Sequence, residues 1–182
     1  KPLIDNSDPF SALAFRFSIV TLGFFLFSLY SKEKILISKR FFFESFFSGV
    51  LFHGLYLGGV FFSISKGMPT GIAALIVTLQ PILTNALSGP ILNEKVSRKQ
   101  WVGVLLGFFG AALVLGYDIG SNIPLIGLVA TIIALIAITS STIWQKKLSN
   151  NLPLSVSNMY QALGGVSFHI LIIIFFAKPY IN

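Results

Sequence analysis

The stretch MPTGIAALIVTLQPILTNALSGPIL, Met68 to Leu92, is long enough as a helix to cross a hydrocarbon core, yet it sets Gln80 and Pro81 side by side near its midpoint. A proline and an amide at that depth cost stability. Such a pair belongs against protein or a water-filled cavity rather than against lipid. At about 100° per residue, Ala74, Val77, Thr78, Gln80, Pro81, Thr84, Asn85 and Ser88 share one half of the helix. Ile72, Leu75, Ile76, Leu79, Ile82, Leu83 and Leu87 cover the other half. The bulky half suits lipid, and the small polar half suits other helices or water. Pro81 has no N–H for the Val77 carbonyl and clashes with it, so a kink is expected there. Two readings stand side by side. The freed carbonyl and the Gln80 amide bond a polar substrate, or Gln80, Thr78 and Asn85 only tie neighbouring helices together.

Composition sets the class around this segment. The 182 residues are 54% hydrophobic and only 10% charged, with a mean hydropathy of +0.84. A soluble domain carries roughly 25% charge. Six membrane-length runs are expected: Phe10–Ser31, Phe41–Ser63, Pro69–Leu92, Lys99–Tyr117, Pro124–Gln145 and Leu154–Ala177. The fold class is therefore an all-α, polytopic membrane helix bundle with six transmembrane helices. The connecting loops leave no room for a water-soluble domain. Pro69, Pro124 and Pro153 open spans where a missing N–H costs little, Asp8-Pro9 reads as a helix start, and Ser97 with Gln100 has capping-box spacing.

The basic residues orient the bundle. Lys32, Lys34, Lys39, Arg40, Lys95, Arg98, Lys99, Lys146 and Lys147 fall on one side. Lys1, Lys66 and Lys178 fall on the other, and Arg16 lies within a span. By the positive-inside rule the first group is cytoplasmic. The net charge of +7 thus serves orientation rather than a nucleic-acid partner. Both chain ends then lie outside, no signal peptide precedes the first span, and the chain starts without Met. The simplest reading is a fragment of a larger polytopic protein. The segment from Pro9 to Arg16 and on to Gly23 also resembles Pro153 to Gln161 and on to Gly164 and Gly165. The two copies enter the membrane from opposite sides, as in inverted-repeat transporters.

Other candidates are weaker. Gly54 and Gly58 in the second span, and Gly103, Gly107 and Gly110 in the fourth, read as stripes for close helix packing. His53 and Tyr56 lie beside the first stripe, where His53 is either a proton or substrate site or a neutral ring bonded to a neighbouring helix. Arg40 and Glu44 have ion-pair spacing. His169 reads as structural. Enzyme chemistry finds no support: there is no His-Glu-x-x-His helix and no Gly-x-Ser-x-Gly turn. Ser167 and His169 point about 200° apart on one helix. With zero cysteines there is no thiolate metal site, and neither a metal nor a cofactor is expected. No phosphate-binding loop is present, so transport would draw on a gradient or on exchange.

Gly71 through Leu115 resembles the EamA-type domain of the drug/metabolite transporter superfamily. The features that carry it are Thr70-Gly71-Ile72-Ala73-Ala74-Leu75, Gln80-Pro81, Asn93-Glu94-Lys95, and Gln100-Trp101-Val102-Gly103 leading to Gly107 and Gly110. The resemblance implies ten spans in two inverted five-helix halves around a central cavity. Our six spans would be the second to seventh. Residues 1–117 would belong to the first repeat and 118–182 to the start of the second. Glu94 would be the family's acidic residue after its fourth span. The function implied is export of small metabolites such as amino acids by alternating access, from a bacterial cytoplasmic (inner) membrane. An exchanger of phosphorylated or nucleotide-linked sugars and a non-transporting scaffold subunit are the alternatives. Expected partners are the lipid bilayer and a small-molecule substrate, and a homodimer is compatible with the sequence. Gln80, Pro81, Asn85, Thr78, His53 and Tyr56 are the expected cavity residues.

Overall fold

A computed structural model of the chain describes residues 9–93, 95–115, 123–148 and 151–176. These residues are helical, joined by short turns, and no strand occurs among them. In order they form α1 (Pro9–Tyr30), α2 (Lys39–Gly49), a π-helical stretch (Val50–Tyr56), α3 (Leu57–Ser65), α4 (Thr70–Val77), α5 (Gln80–Leu92), α6 (Arg98–Leu115), α7 (Leu125–Leu148) and α8 (Leu154–Phe176). Among the described residues five segments are long and apolar enough to cross a membrane: Phe10–Tyr30, Lys39–Ser65, Thr70–Leu92, Leu125–Leu148 and Leu154–Phe175. The fourth expected span corresponds to α6, whose 18 described residues extend about 27 Å and which is not among those five. Its expected continuation to Tyr117 lies outside the described residues, as do the Asp8 cap and Glu94. Large apolar side chains such as Phe15, Leu22, Leu106 and Phe175 stand exposed on these helices. That is the surface an integral membrane protein offers to lipid.

The helix ends close as their residues dictate. Gly67, at φ +88°, ends α3, and the amide of Met68 reaches back to the Ser63 carbonyl at 3.1 Å. Only a glycine takes that backbone conformation without strain. Lys32 (φ +53°) ends α1 in the same way, with the Glu33 amide on the Ser28 carbonyl at 2.9 Å. At the start of α6 the amide of Ser97 donates to Gln100 Oε1 (2.7 Å), and the amide of Gln100 donates to Ser97 Oγ (3.2 Å). Each side chain thereby satisfies a backbone N–H that the first helical turn leaves without a partner.

The chain divides into two compact units, and the division falls inside the π-helical stretch. One unit holds residues up to Gly54 together with Leu148 onward. In it α1 and α2 both pack on α8. The α2–α8 crossing is very close: a Cβ at Gly49 would lie 1.9 Å from the Gln161 carbonyl oxygen, and one at Gly164 would lie 2.2 Å from that of Phe46. A Cβ at Gly54 would meet the Phe168 ring at 2.6 Å. Tyr160 donates its hydroxyl to the Ile35 carbonyl (3.1 Å), and Ser155 bonds Glu33. Together they pin the loop after α1 onto α8.

The other unit runs from Leu55 to Lys147. Met68, Ile72 and Ala73 form its buried core, with Ile76 and Leu128 packed against them. Ser63 donates to the Gly127 carbonyl at 2.8 Å and lies 2.7 Å from Thr131 Oγ1, which ties α3 to α7. A Cβ at Gly59 would meet that of Ala134 at 3.3 Å, tighter than ordinary van der Waals contact, so Gly59 packs closely on α7. Gly58 is buried.

The Gly49–Gln161 approach leaves no room for a methyl group. Gly49→Ala should lower stability by about 1–3 kcal/mol, the usual cost of overpacking. Gly23→Ala, which meets nothing within 4 Å, should be neutral or slightly stabilising. Thermal unfolding in detergent compares the two, and equal midpoints would contradict the packing.

Candidate functional site: a cavity beside a broken helix

The segment that begins at Thr70 does not cross as one helix. Helix α4 stops at Val77, Thr78 and Leu79 form a turn, and α5 restarts at Gln80 with Pro81 in its first turn. The break follows from Pro81, which offers no N–H to the Val77 carbonyl and is well placed only at a helix start. Neighbouring groups take up part of the strain. The amide of Leu79 turns to the Ile76 carbonyl (3.1 Å), a tighter 3₁₀-type bond, and the amide of Leu83 reaches the Leu79 carbonyl (3.1 Å). Thr78 donates its hydroxyl to the Leu75 carbonyl at 2.6 Å.

A cavity of about 520 Å³ opens beside the break. Tyr56, Val77, Thr78, Gln80, Pro81, Gly103, Val104, Gly107, Phe108 and Ile138 line it. All belong to the unit Leu55–Lys147, and none is charged. Gln80 donates its amide to Thr84 Oγ1 (3.0 Å) on its own helix and to Thr142 Oγ1 (3.3 Å) on α7. It therefore ties two helices together while also bordering the cavity.

The expected site residues separate. Thr78, Gln80, Pro81 and Tyr56 come together at the cavity. Asn85 lies partly buried on α5 and does not line it. His53 belongs to the other unit. Its ring lies 4.3 Å from that of Phe17, and its Cβ would be 2.5 Å from a Cβ at Gly165. His169, fully buried, donates Nε2–H to the His53 carbonyl at 2.9 Å. That carbonyl lies in the π-helical stretch, where backbone bonding is irregular. A Cβ at Gly103, Gly107 or Gly110 would meet nothing within 4 Å among the described residues. The spacing is that of a packing face, but no described helix covers it. Gly103 and Gly107 instead leave one wall of the cavity open.

Some features escaped the sequence reading. Phe108, Val104 and Ile138 line the cavity without standing out in the apolar runs that carry them. Thr142 stands 62 positions from Gln80 along the chain, and nothing in the sequence signals their contact. Arg40 and Glu44 do meet, Nε to Oε1 at 2.9 Å. Arg16 is exposed, its guanidinium carbon 5.7 Å from the Phe17 ring centre.

A polytopic helical membrane protein with a broken span and a cavity at the break is the class these features define. The model of the EamA-like transporter family matches residues 1–116, and the chain belongs to that family. It is similar to two proteins named probable amino-acid metabolite efflux pump. One, from Salmonella typhimurium, is 30% identical over 52% of this chain and 32% of its own length. The other, from Escherichia coli, is 27% identical over 50% of this chain and 31% of its own length. An uncharacterized transporter, YvbV of Bacillus subtilis, is 29% identical over 53% of this chain and 30% of its own length. The chain thus spans about a third of the length of these relatives. No solved structure matches it.

If Pro81 makes the break, Pro81→Ala restores a donor for the Val77 carbonyl. Amides of Thr78 to Leu83 should then exchange hydrogen several-fold more slowly, in line with one added bond of about 1 kcal/mol. Mass-spectrometric exchange in detergent reads this directly. Unchanged exchange would assign the break to another cause.

Proposed function

We propose that this chain forms part of a transporter that exports small metabolites such as amino acids by alternating access, driven by a gradient or by exchange. The observation that carries the reading is the break at Thr78–Leu79 with an uncharged, partly polar cavity alongside it. Irregular backbone at membrane depth is tolerated where it lines a cavity, and transporters use such broken helices to hold substrate. A cavity of about 520 Å³ suits a small metabolite. Membership of the EamA-like family and the names of the efflux-pump relatives favour the same reading. Their bacterial sources favour a bacterial inner membrane. We place the repeat boundary at residues 117 and 118.

An exchanger of phosphorylated sugars would need Lys or Arg in its cavity, and the lining residues contain neither. A scaffold subunit has no use for an open cavity beside a costly proline. Transport and not enzymatic chemistry is therefore the function we assign.

Gln80→Leu tests the assignment in the whole protein. Loss of the amide hydrogen bonds should cut flux by roughly five- to tenfold while leaving membrane insertion intact. An efflux assay with a candidate amino acid, normalised to protein in the membrane, measures it. Undiminished flux would take Gln80 out of the pathway.

A further inference from the structure

We infer that the groove between α1 and α8 holds an anionic phospholipid, with one acyl chain in the groove and the headgroup phosphate at Lys32 and Lys34. The groove has a volume of about 490 Å³, and all its lining residues belong to the unit that holds α1, α2 and α8. Thr21, Leu22 and Phe25 of α1 form one wall, and Met159, Leu163 and Val166 of α8 form the other. Ser18 to Phe25 covers about 10 Å of the α1 axis. The hydroxyl groups along the groove turn their hydrogens onto backbone. Ser18 donates to the Ala14 carbonyl (2.8 Å), Thr21 to that of Phe17 (2.8 Å) and Tyr160 to that of Ile35 (3.1 Å). The other lining side chains are hydrocarbon or thioether, which suits an acyl chain better than a polar solute.

Charge names the occupant. Ile35, in the loop after α1, also lines the groove and is held there by Tyr160. The positive-inside rule puts this loop on the cytoplasmic side. Tyr30, 87% exposed at the end of α1, marks the level of the lipid headgroups, where aromatic rings with a polar tip gather. Lys32 and Lys34 follow it directly, and both are exposed. Glu33 stands between them as the one acid from Ser31 to Arg40, and it is bonded to Ser155 at the start of α8. Its carboxylate is thereby drawn onto α8, while the lysines on either side stay exposed. Arg40 pairs with Glu44 instead. An apolar groove whose edge residue Ile35 comes next to Lys34 complements a molecule that is hydrocarbon at one end and anionic at the other. Basic pockets between helices on the cytoplasmic side take anionic headgroups in this way.

Native mass spectrometry of the whole protein in detergent, titrated with dioleoyl phosphatidylglycerol or dioleoyl phosphatidylcholine, tests this. The two lipids share their acyl chains and differ in headgroup charge. Phosphatidylglycerol should bind at least about fivefold tighter, the effect of one lysine beside an anionic lipid. Lys32→Gln with Lys34→Gln should bring the two lipids within about twofold of each other. Lys146→Gln with Lys147→Gln, at the end of α7, should leave the preference intact. Leu22→Trp fills the groove from its exposed wall and should weaken both lipids several-fold. Equal binding of the two lipids, or of neither, overturns the proposal. A preference lost equally in the Lys146 and Lys147 variant also overturns it, since any basic surface would then serve. Undiminished binding in Leu22→Trp overturns the acyl-chain assignment. A dimer that Leu22→Trp dissolves would give the groove to a second copy and overturn the lipid reading.

Discussion

Inside a bilayer there is no water to satisfy a backbone group that loses its partner, and this constraint governs the structure. A straight helix meets it automatically. The span from Thr70 to Leu92 does not, because Pro81 removes a donor at its centre. The chain answers with local substitutes: a tightened bond at Leu79, the Thr78 hydroxyl on a carbonyl, and a Gln80 side chain held by two threonines. Each substitute is small. A polar contact between membrane helices contributes about 0.6 kcal/mol. What they leave unfilled is the cavity.

The two units meet the same constraint differently. Where α2 packs on α8, glycines bring backbones so close that a single added carbon would collide. Polar side chains there are buried, with Gln161 bonded to Ser157 and His169 to a backbone carbonyl. In the unit that contains α4 to α7, a Cβ added at the α6 glycines would meet nothing within 4 Å among the described residues, and Gly103 and Gly107 border the cavity. Small residues thus serve opposite ends, a tight crossing in one unit and an open wall in the other. The two readings of Gln80 also turn out to be compatible. Its amide ties α5 to α7, and the residue also borders the cavity.

Much of this was legible in the sequence because the bilayer makes few demands and makes them strictly. Span positions follow from apolar length, and the break follows from one proline. The turn at Gly67 and the box at Ser97 and Gln100 follow from residue types that have few other uses at a helix end. Tertiary proximity was harder to read. The Gly103–Gly107–Gly110 spacing says that a face is smooth, not that anything lies against it. Gly49 carried no spacing signal, yet it forms the closest crossing described. The π-helical stretch Val50–Tyr56 was invisible, since an apolar run has the same composition whether its bonds span four residues or five. It separates His53 and Tyr56, which the sequence had grouped, into different units.

The central claim is that the polar face at the break meets a water-accessible cavity rather than lipid. The chain has no cysteine, so single substitutions can report on it without interference. Two neighbours on α6 give the cleanest contrast: Gly107, which lines the cavity, and Leu106, which is 67% exposed on the apolar surface. In membranes, G107C should react with a water-soluble, membrane-impermeant thiol reagent, and L106C should not. Reaction of L106C with protection of G107C would contradict the account.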